Sequence, residues 1–182
     1  MKLSNTKIQL FIYPIVAVLL LFTVACEENT TEPEDVPAID FRMETVSGDT
    51  LQLSDTLGKI VILQFMNWDC PPCQAEVPVL NQIYDNYSRD EVVVWAISFP
   101  HSADDVVGAQ TLLKENFVDP FGAKYPILID NRLYTSLYVF EAYSVQGTPT
   151  TVIIGKEGYI QFHYGGGTVP LDSFEEWIQV LK

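Results

Sequence analysis

In the stretch NWDCPPCQAEVP (67–78), Cys70 and Cys73 stand two residues apart with Pro71 and Pro72 between them. Cysteines at this spacing can hold a metal, close a structural disulfide or pass electrons. A zinc site takes about four ligands, usually two such knuckles or added histidines. Beyond Cys26 the chain offers Cys70, Cys73, His101 and His163, with no second knuckle. A structural disulfide gains most by closing a long loop, and this one would close a very short loop. Electron transfer fits the setting best. The pair follows an apolar, β-branched run and opens a helical pattern, so the first sulfur sits where unpaired N–H groups and the helix macrodipole favour an anion. This makes Cys70 the nucleophile and Cys73, shielded one turn inside, the resolving thiol. Pro71 suits a first helical position, where a missing N–H costs nothing, and Pro78 is expected to kink the helix.

The elements that must hold this pair can be read from hydrophobic period and turn chemistry. Residues 39–59 alternate around Ser47-Gly48-Asp49 and suggest a hairpin. KIVILQFM (59–66) and EVVVWAISF (91–99) read as strands buried on both faces. The helix that opens at the cysteines carries Val77, Leu80, Ile83 and Tyr84 on one face, and 103–117 has helical spacing through Val106, Val107, Leu112, Leu113 and Phe117. YPILID (125–130) reads as a short strand and 132–143 as a short helix. Residues 150–166 form a hairpin around Lys156-Glu157-Gly158, and 171–181 an amphipathic helix. Strands alternating with helices call for an α/β sheet covered on both faces.

The chain has 182 residues and a formal charge of −14, which becomes −16 if Lys2 and Lys7 are removed with the first 25 residues. No cluster of Lys or Arg remains, so nucleic acid is not an expected partner. Lys2 and Lys7 precede LFIYPIVAVLLLFTVA, a 16-residue apolar run broken by Pro14 and ending at Cys26. That is shorter than the roughly 18 residues of a membrane span and fits an export signal over residues 1–25. FTVAC resembles the lipobox of bacterial lipoproteins, with Thr23 where leucine is most usual; the resemblance implies a lipid on Cys26. An uncleaved anchor helix with an incidental cysteine is the other reading. Either places the rest of the chain outside the cytoplasm, near a membrane. Residues 26–37, acidic and nearly free of apolar side chains, read as a flexible tether. Acidic residues directly after the cysteine also resemble the surface-export signal of some Gram-negative lipoproteins. Residues 38–182 are the folded domain.

Four stretches together resemble the TlpA/ResA type of thioredoxin-like thiol-disulfide oxidoreductases, on the AhpC/TSA-related thioredoxin fold. They are GDTLQLSDTLGKIVILQF, CPPCQAEVP, YPILID and VQGTPTTVIIGKEGYI. The resemblance implies a central mixed sheet with helices on both faces, an N-terminal β-hairpin extension and a β-α insertion. It also implies a cis peptide at Thr148-Pro149 lying against the cysteines, where a substrate strand binds beside Thr148, Pro149 and Trp68.

Three positions are compared with that pattern. The family usually has tryptophan directly before the first cysteine; here Asp69 stands there, with Trp68 one place earlier. A carboxylate beside Cys70 opposes its thiolate, or it caps the helix, so Asp69, Pro71 and Pro72 are the expected tuning residues. Ordinary thioredoxins carry a proton-relaying aspartate six residues before the first cysteine; here that place is Gln64, which cannot titrate. The TlpA/ResA type has a glutamate three residues after the second cysteine, kept here as Glu76. A carboxylate one turn along the helix is expected to take the Cys73 proton, directly or through water, with a plain polar helix residue as the other reading.

The expected function is therefore an exported, membrane-tethered thiol-disulfide oxidoreductase. It would reduce disulfides in envelope proteins, draw electrons from a membrane thiol donor, and need no metal or organic cofactor. The reducing direction comes from the family resemblance. A thiol peroxidase of the peroxiredoxin kind is a second reading; its Pro-x-x-x-Thr-x-x-Cys pattern is not matched, since Asn67 stands three places before Cys70. A non-catalytic thioredoxin-like binding module is a third, against which the intact pair, Glu76 and Gly-Thr-Pro-Thr argue. His101 reads as a solvated loop residue, His163 as structural, and Trp95 and Trp177 as core. HYGGG lacks the downstream Lys-Ser/Thr of a phosphate loop.

Overall fold

The run IVILQFM is apolar at six of its seven positions because it becomes the strand at the middle of a sheet covered on both sides, and all seven residues are buried. The computed structural model describes residues 36–99, 105–131 and 138–182, which lie within one unit, Asp35–Lys182. The elements are β1 (Val36–Pro37), β2 (Arg42–Glu44), β3 (Thr50–Gln52), a 3-10 turn (Leu53–Thr56), β4 (Ile60–Met66), α1 (Pro71–Asn86), β5 (Val92–Ser98), α2 (Val106–Leu113), α3 (Asp119–Phe121), β6 (Ile127–Ile129), α4 (Val139–Ala142), β7 (Thr150–Ile154), β8 (Tyr159–Gly165) and α5 (Leu171–Val180). Residues 1–25, read as an export signal, Cys26, most of the stretch read as a tether, and His101 lie outside the described residues.

Six strands form a mixed sheet in the order β1-β8-β7-β4-β5-β6. β4, β5 and β6 run parallel, whereas β7 is antiparallel to β4, β8 to β7 and β1 to β8. The sheet thus begins at Val36, inside the last two residues read as tether. β2 and β3 form the expected hairpin, turned by Gly48 in the left-handed region.

Alternation along β4 divides the core. Ile60, Ile62 and Met66 pack with Val77, Leu80 and Ile83 of α1, Ala109 and Leu113 of α2, and Phe174 and Ile178 of α5. Val61, Leu63 and Phe65 face the other way, toward Phe41, Met43, Leu53, Val139 and Tyr143. Helices therefore cover both faces, the second with the short α4. Fully burying side chains of this size stabilises by about 1.5–3 kcal/mol each before entropy is charged against it.

Two helices differ from the sequence expectation in extent. Asp105 caps α2, accepting from the Gly108 N–H at 2.7 Å, so α2 starts at Val106. Beyond Leu113 the chain widens into a π turn over Lys114–Val118 and continues as α3 to Gly122, whose φ of +67° ends it. That wide turn still buries Phe117. In the span read as a helix over 132–143, helix is present at Val139–Ala142, while 132–137 lie outside the described residues. α1, by contrast, runs on through Pro78 to Asn86. Trp95 is buried in the core, Trp177 stacks on Phe162 with ring centroids 5.0 Å apart, and His163 Nε2 lies 3.1 Å from the Tyr143 carbonyl.

Candidate active site

The parallel strand β4 ends at Met66, and the chain turns through Asn67-Trp68-Asp69 into α1. The Asn67 amide, with its nitrogen facing two carbonyls, donates to Met66 O at 3.0 Å and Phe99 O at 3.1 Å. This ties the exit of β4 to the exit of β5 and holds the mouth of α1 in place. The capping position belongs to Cys70, not to Asp69: the Cys73 N–H donates to Cys70 Sγ at 3.2 Å. Asp69 is exposed, so the capping role considered for it is not the one it has. It keeps its place directly beside Cys70.

The two prolines give this end of the helix a specific chemistry. The first regular bond of α1 runs from the Gln74 N–H to Cys70 O at 3.1 Å, which leaves the N–H groups of residues 71, 72 and 73 without intrahelical acceptors. Pro71 and Pro72 have no N–H. The one remaining donor of this set belongs to Cys73, and it points at Cys70 Sγ. A thiolate there receives a charge-assisted hydrogen bond together with the helix macrodipole, both of which favour the anion.

Cys70 and Cys73 are joined as a disulfide, S–S 2.06 Å. Cys70 retains 7% exposure and Cys73 none, which suits an accessible attacker and a shielded resolver. Among the described residues no three His, Cys, Asp or Glu side chains converge as a metal site.

Glu76 lies three residues beyond Cys73 on the same helix face, a spacing that brings Cβ atoms to about 5–6 Å. It is fully buried. Burial pushes its carboxyl above the usual range; hydrogen bonds from the Val169 N–H and the Gln64 amide pull the other way. The Val169 N–H donates to Oε1 at 2.6 Å, and Gln64 Nε2 donates to Oε2. Tyr125 is buried nearby, its hydroxyl held far up by burial and by the charge of Glu76. Sequence reasoning placed Gln64 only as a lost relay and Tyr125 only as a strand residue, and it missed Val169 altogether. A backbone donor carries no side-chain signature and could not have been found.

The Thr148-Pro149 peptide is cis. Register places it: Phe65 of β4 pairs with Thr150 of β7, so Pro149 continues β7 toward the end of β4 from which the cysteine loop departs. The Gly166 N–H donates to Pro149 O at 3.1 Å, and Thr150 Oγ1 donates to Gly147 O at 2.7 Å. The cysteine loop, residues 147–149 and the 165–169 segment thus gather at one end of the sheet. Trp68 packs half-buried against the core on that side, and its carbonyl accepts from Gln74 Nε2 at 2.8 Å.

A second buried carboxylate lies at the exit of β6. Asp130 accepts from the N–H groups of Val139 at 3.0 Å and Phe140 at 2.9 Å, anchoring α4, from which the chain leads to Thr148. Its carboxyl is raised, chiefly by burial.

Known proteins bear on this geometry. The AhpC/TSA family matches residues 35–163. The thiol-disulfide oxidoreductase ResA of Halalkalibacterium halodurans is 32% identical over 146 residues, covering 80% of this chain and 75% of that protein. ResA of Bacillus subtilis is 31% identical over 158 residues, covering 87% and 80%. Among solved structures, the exposed lipoprotein thioredoxin of Streptococcus pneumoniae superposes with a TM-score of 0.65 at 28% identity, covering 79% of this chain and all of that one. A thiol-disulfide oxidoreductase of the ResA type on a thioredoxin-like fold, this chain belongs to the AhpC/TSA family.

Proposed function

We propose that this protein is a lipid-anchored reductase of disulfides in cell-envelope proteins, held at the periplasmic face or the outer-membrane surface through Cys26. The observation that carries the chemistry is the Cys73 N–H on Cys70 Sγ at a helix mouth stripped of other donors. Cys70 thiolate attacks one sulfur of a substrate disulfide; that S–S bond breaks and one substrate thiolate leaves. Cys73 then loses its proton to Glu76 and attacks Cys70 Sγ, which releases the second substrate thiolate and forms the Cys70–Cys73 bond. Two electrons pass to the substrate, and a membrane thiol donor returns them to the pair. Trp68, Thr148 and Pro149 border the place where the substrate strand lies.

The lipid anchor is supported by the apolar run ending at Cys26 and by the likeness to a pneumococcal protein described as an exposed lipoprotein. The test is reduction of insulin disulfides by wild type and Cys70→Ser. Activity in the first and none in the second is expected; equal rates overturn the reading. Peroxide consumption with no protein disulfide added would point to the peroxidase instead, and absence of both activities to a binding module. Cys73→Ser should hold a substrate on Cys70 as a mixed disulfide for identification.

A further inference from the structure

Gln64 is an anomaly in its strand. It points toward the α1 side of β4, in the same alternation as Ile60, Ile62 and Met66, and is wholly buried. Packing alone would take an apolar residue there, because a buried amide that is not fully bonded is destabilising. Its Nε2 donates to Glu76 Oε2, yet its Oε1 is buried with no hydrogen-bond partner among the described residues.

The chemistry of Glu76 gives both halves of the amide a use. An ionised carboxylate only accepts hydrogen bonds, whereas a carboxylic acid also donates one. A base that takes a proton from Cys73 and later gives it up passes through both states while buried. Leucine could serve neither state, and a second carboxylate would compete for the same proton. An amide has a donor and an acceptor on one rotatable group.

We propose that Gln64 is a positioning residue for the proton transfer that frees Cys73: its N–H holds the Glu76 carboxylate, and its carbonyl turns to receive the O–H once Glu76 is protonated. The unpartnered Oε1 is the acceptor kept for that second state. The inference rests on the role given to Glu76 above. Other groups facing Glu76 are Cys73 on α1, the Val169 N–H before α5 and the Tyr125 hydroxyl before β6. The acidic residues of α5, Asp172, Glu175 and Glu176, are exposed.

The test uses full-length protein with Cys26→Ser in every variant, so that Cys70 and Cys73 are its only thiols, reduced and mixed with dithiobis-nitrobenzoate. The first nitrothiobenzoate released reports attack by Cys70, and the second reports resolution by Cys73. Glu76→Gln comes first: if the second release keeps its rate, Glu76 has no such role and the proposed mechanism fails at that step. With that release slowed, Gln64→Met, of equal length but with neither amide donor nor acceptor, isolates the inference. Gln64→Met removes a charge-assisted bond to the carboxylate and a weaker, neutral one to the acid, so on balance the acid form of Glu76 gains. The pH midpoint of the second release moves upward and its rate at neutral pH falls, about tenfold for a midpoint moved by about one unit. The first release is unchanged, and the double variant is no slower than Glu76→Gln alone. Gln64→Leu is the second variant should the methionine fail to fold. A pH midpoint equal to wild type in a folded Gln64 variant overturns the proposal.

Discussion

The Val169 N–H donates to Glu76 Oε1 at 2.6 Å across 93 positions of sequence. Through this one contact, the segment leading into α5 is joined to the helix that bears the cysteines. The carboxylate so held is buried, and its two hydrogen-bond donors, the Val169 N–H and the Gln64 amide, are both neutral. Two uncharged hydrogen bonds offset part of its desolvation, and the remainder favours the protonated form.

Glu76→Gln tests this balance in two ways. General-base catalysis contributes about 100-fold or more, so resolution of the mixed disulfide should slow by that order while attack by Cys70 stays near the wild-type rate. Stopped-flow measurement of the two steps checks it. Stability should change with pH as well. A carboxyl raised in the folded state keeps its proton there at pH values where the unfolded chain has lost it. Stability from this group is therefore full below the unfolded value of 4.5 and falls as pH rises through the folded one. Denaturant titrations at several pH values should show wild type losing stability relative to Glu76→Gln as pH increases.

Asp69 sets its charge beside Cys70 but in solvent, where screening is strong. At a separation of several ångströms the repulsion is worth roughly 0.5 kcal/mol. Asp69→Asn should lower the Cys70 pKa by a few tenths of a unit and make the couple slightly more oxidising. Thiolate absorbance against pH would measure the first and equilibration with glutathione the second. An unchanged or higher Cys70 pKa in the variant counts against any tuning role.

Asp130 anchors α4 by accepting from two backbone N–H groups. Asp130→Ala leaves both without their acceptor, at a cost of about 2 kcal/mol. A lowered midpoint in chemical denaturation is expected, together with weaker substrate binding, because α4 leads to residues 147–149. Asp130→Asn, which keeps one acceptor, should lie between the two proteins.

Cys26→Ser tests the anchor. Expressed with its full N-terminus, wild type should sediment with membranes and partition into detergent, and the variant should do neither. Equal partitioning favours an uncleaved anchor helix.

Much of the fold could be read along the chain because its signals are local. The buried strands β4 and β5 show as continuous β-branched runs, α1 by its period and its prolines, and the β2–β3 turn by Gly48. The pair Cys70 and Cys73 is equally local, since a helix mouth and its first turn span four residues. Which atom caps a helix, and where a helix ends, are decided by side-chain geometry and packing. Asp69 was a candidate cap, but the Cys70 sulfur holds that position. The helix expected over 103–117 begins at its Asp105 cap and runs on past a π turn that buries Phe117.

By itself, then, the order of residues determined that two thiols would meet at a helix N-terminus and which of them would be shielded. Those are consequences of i-to-i+3 spacing and of proline's missing N–H. Only the tertiary structure decided what surrounds Glu76. Its partners come from β4, from the segment before α5 and from the approach to β6, and the environment of a buried charge is set by whichever dipoles the packed chain brings within reach.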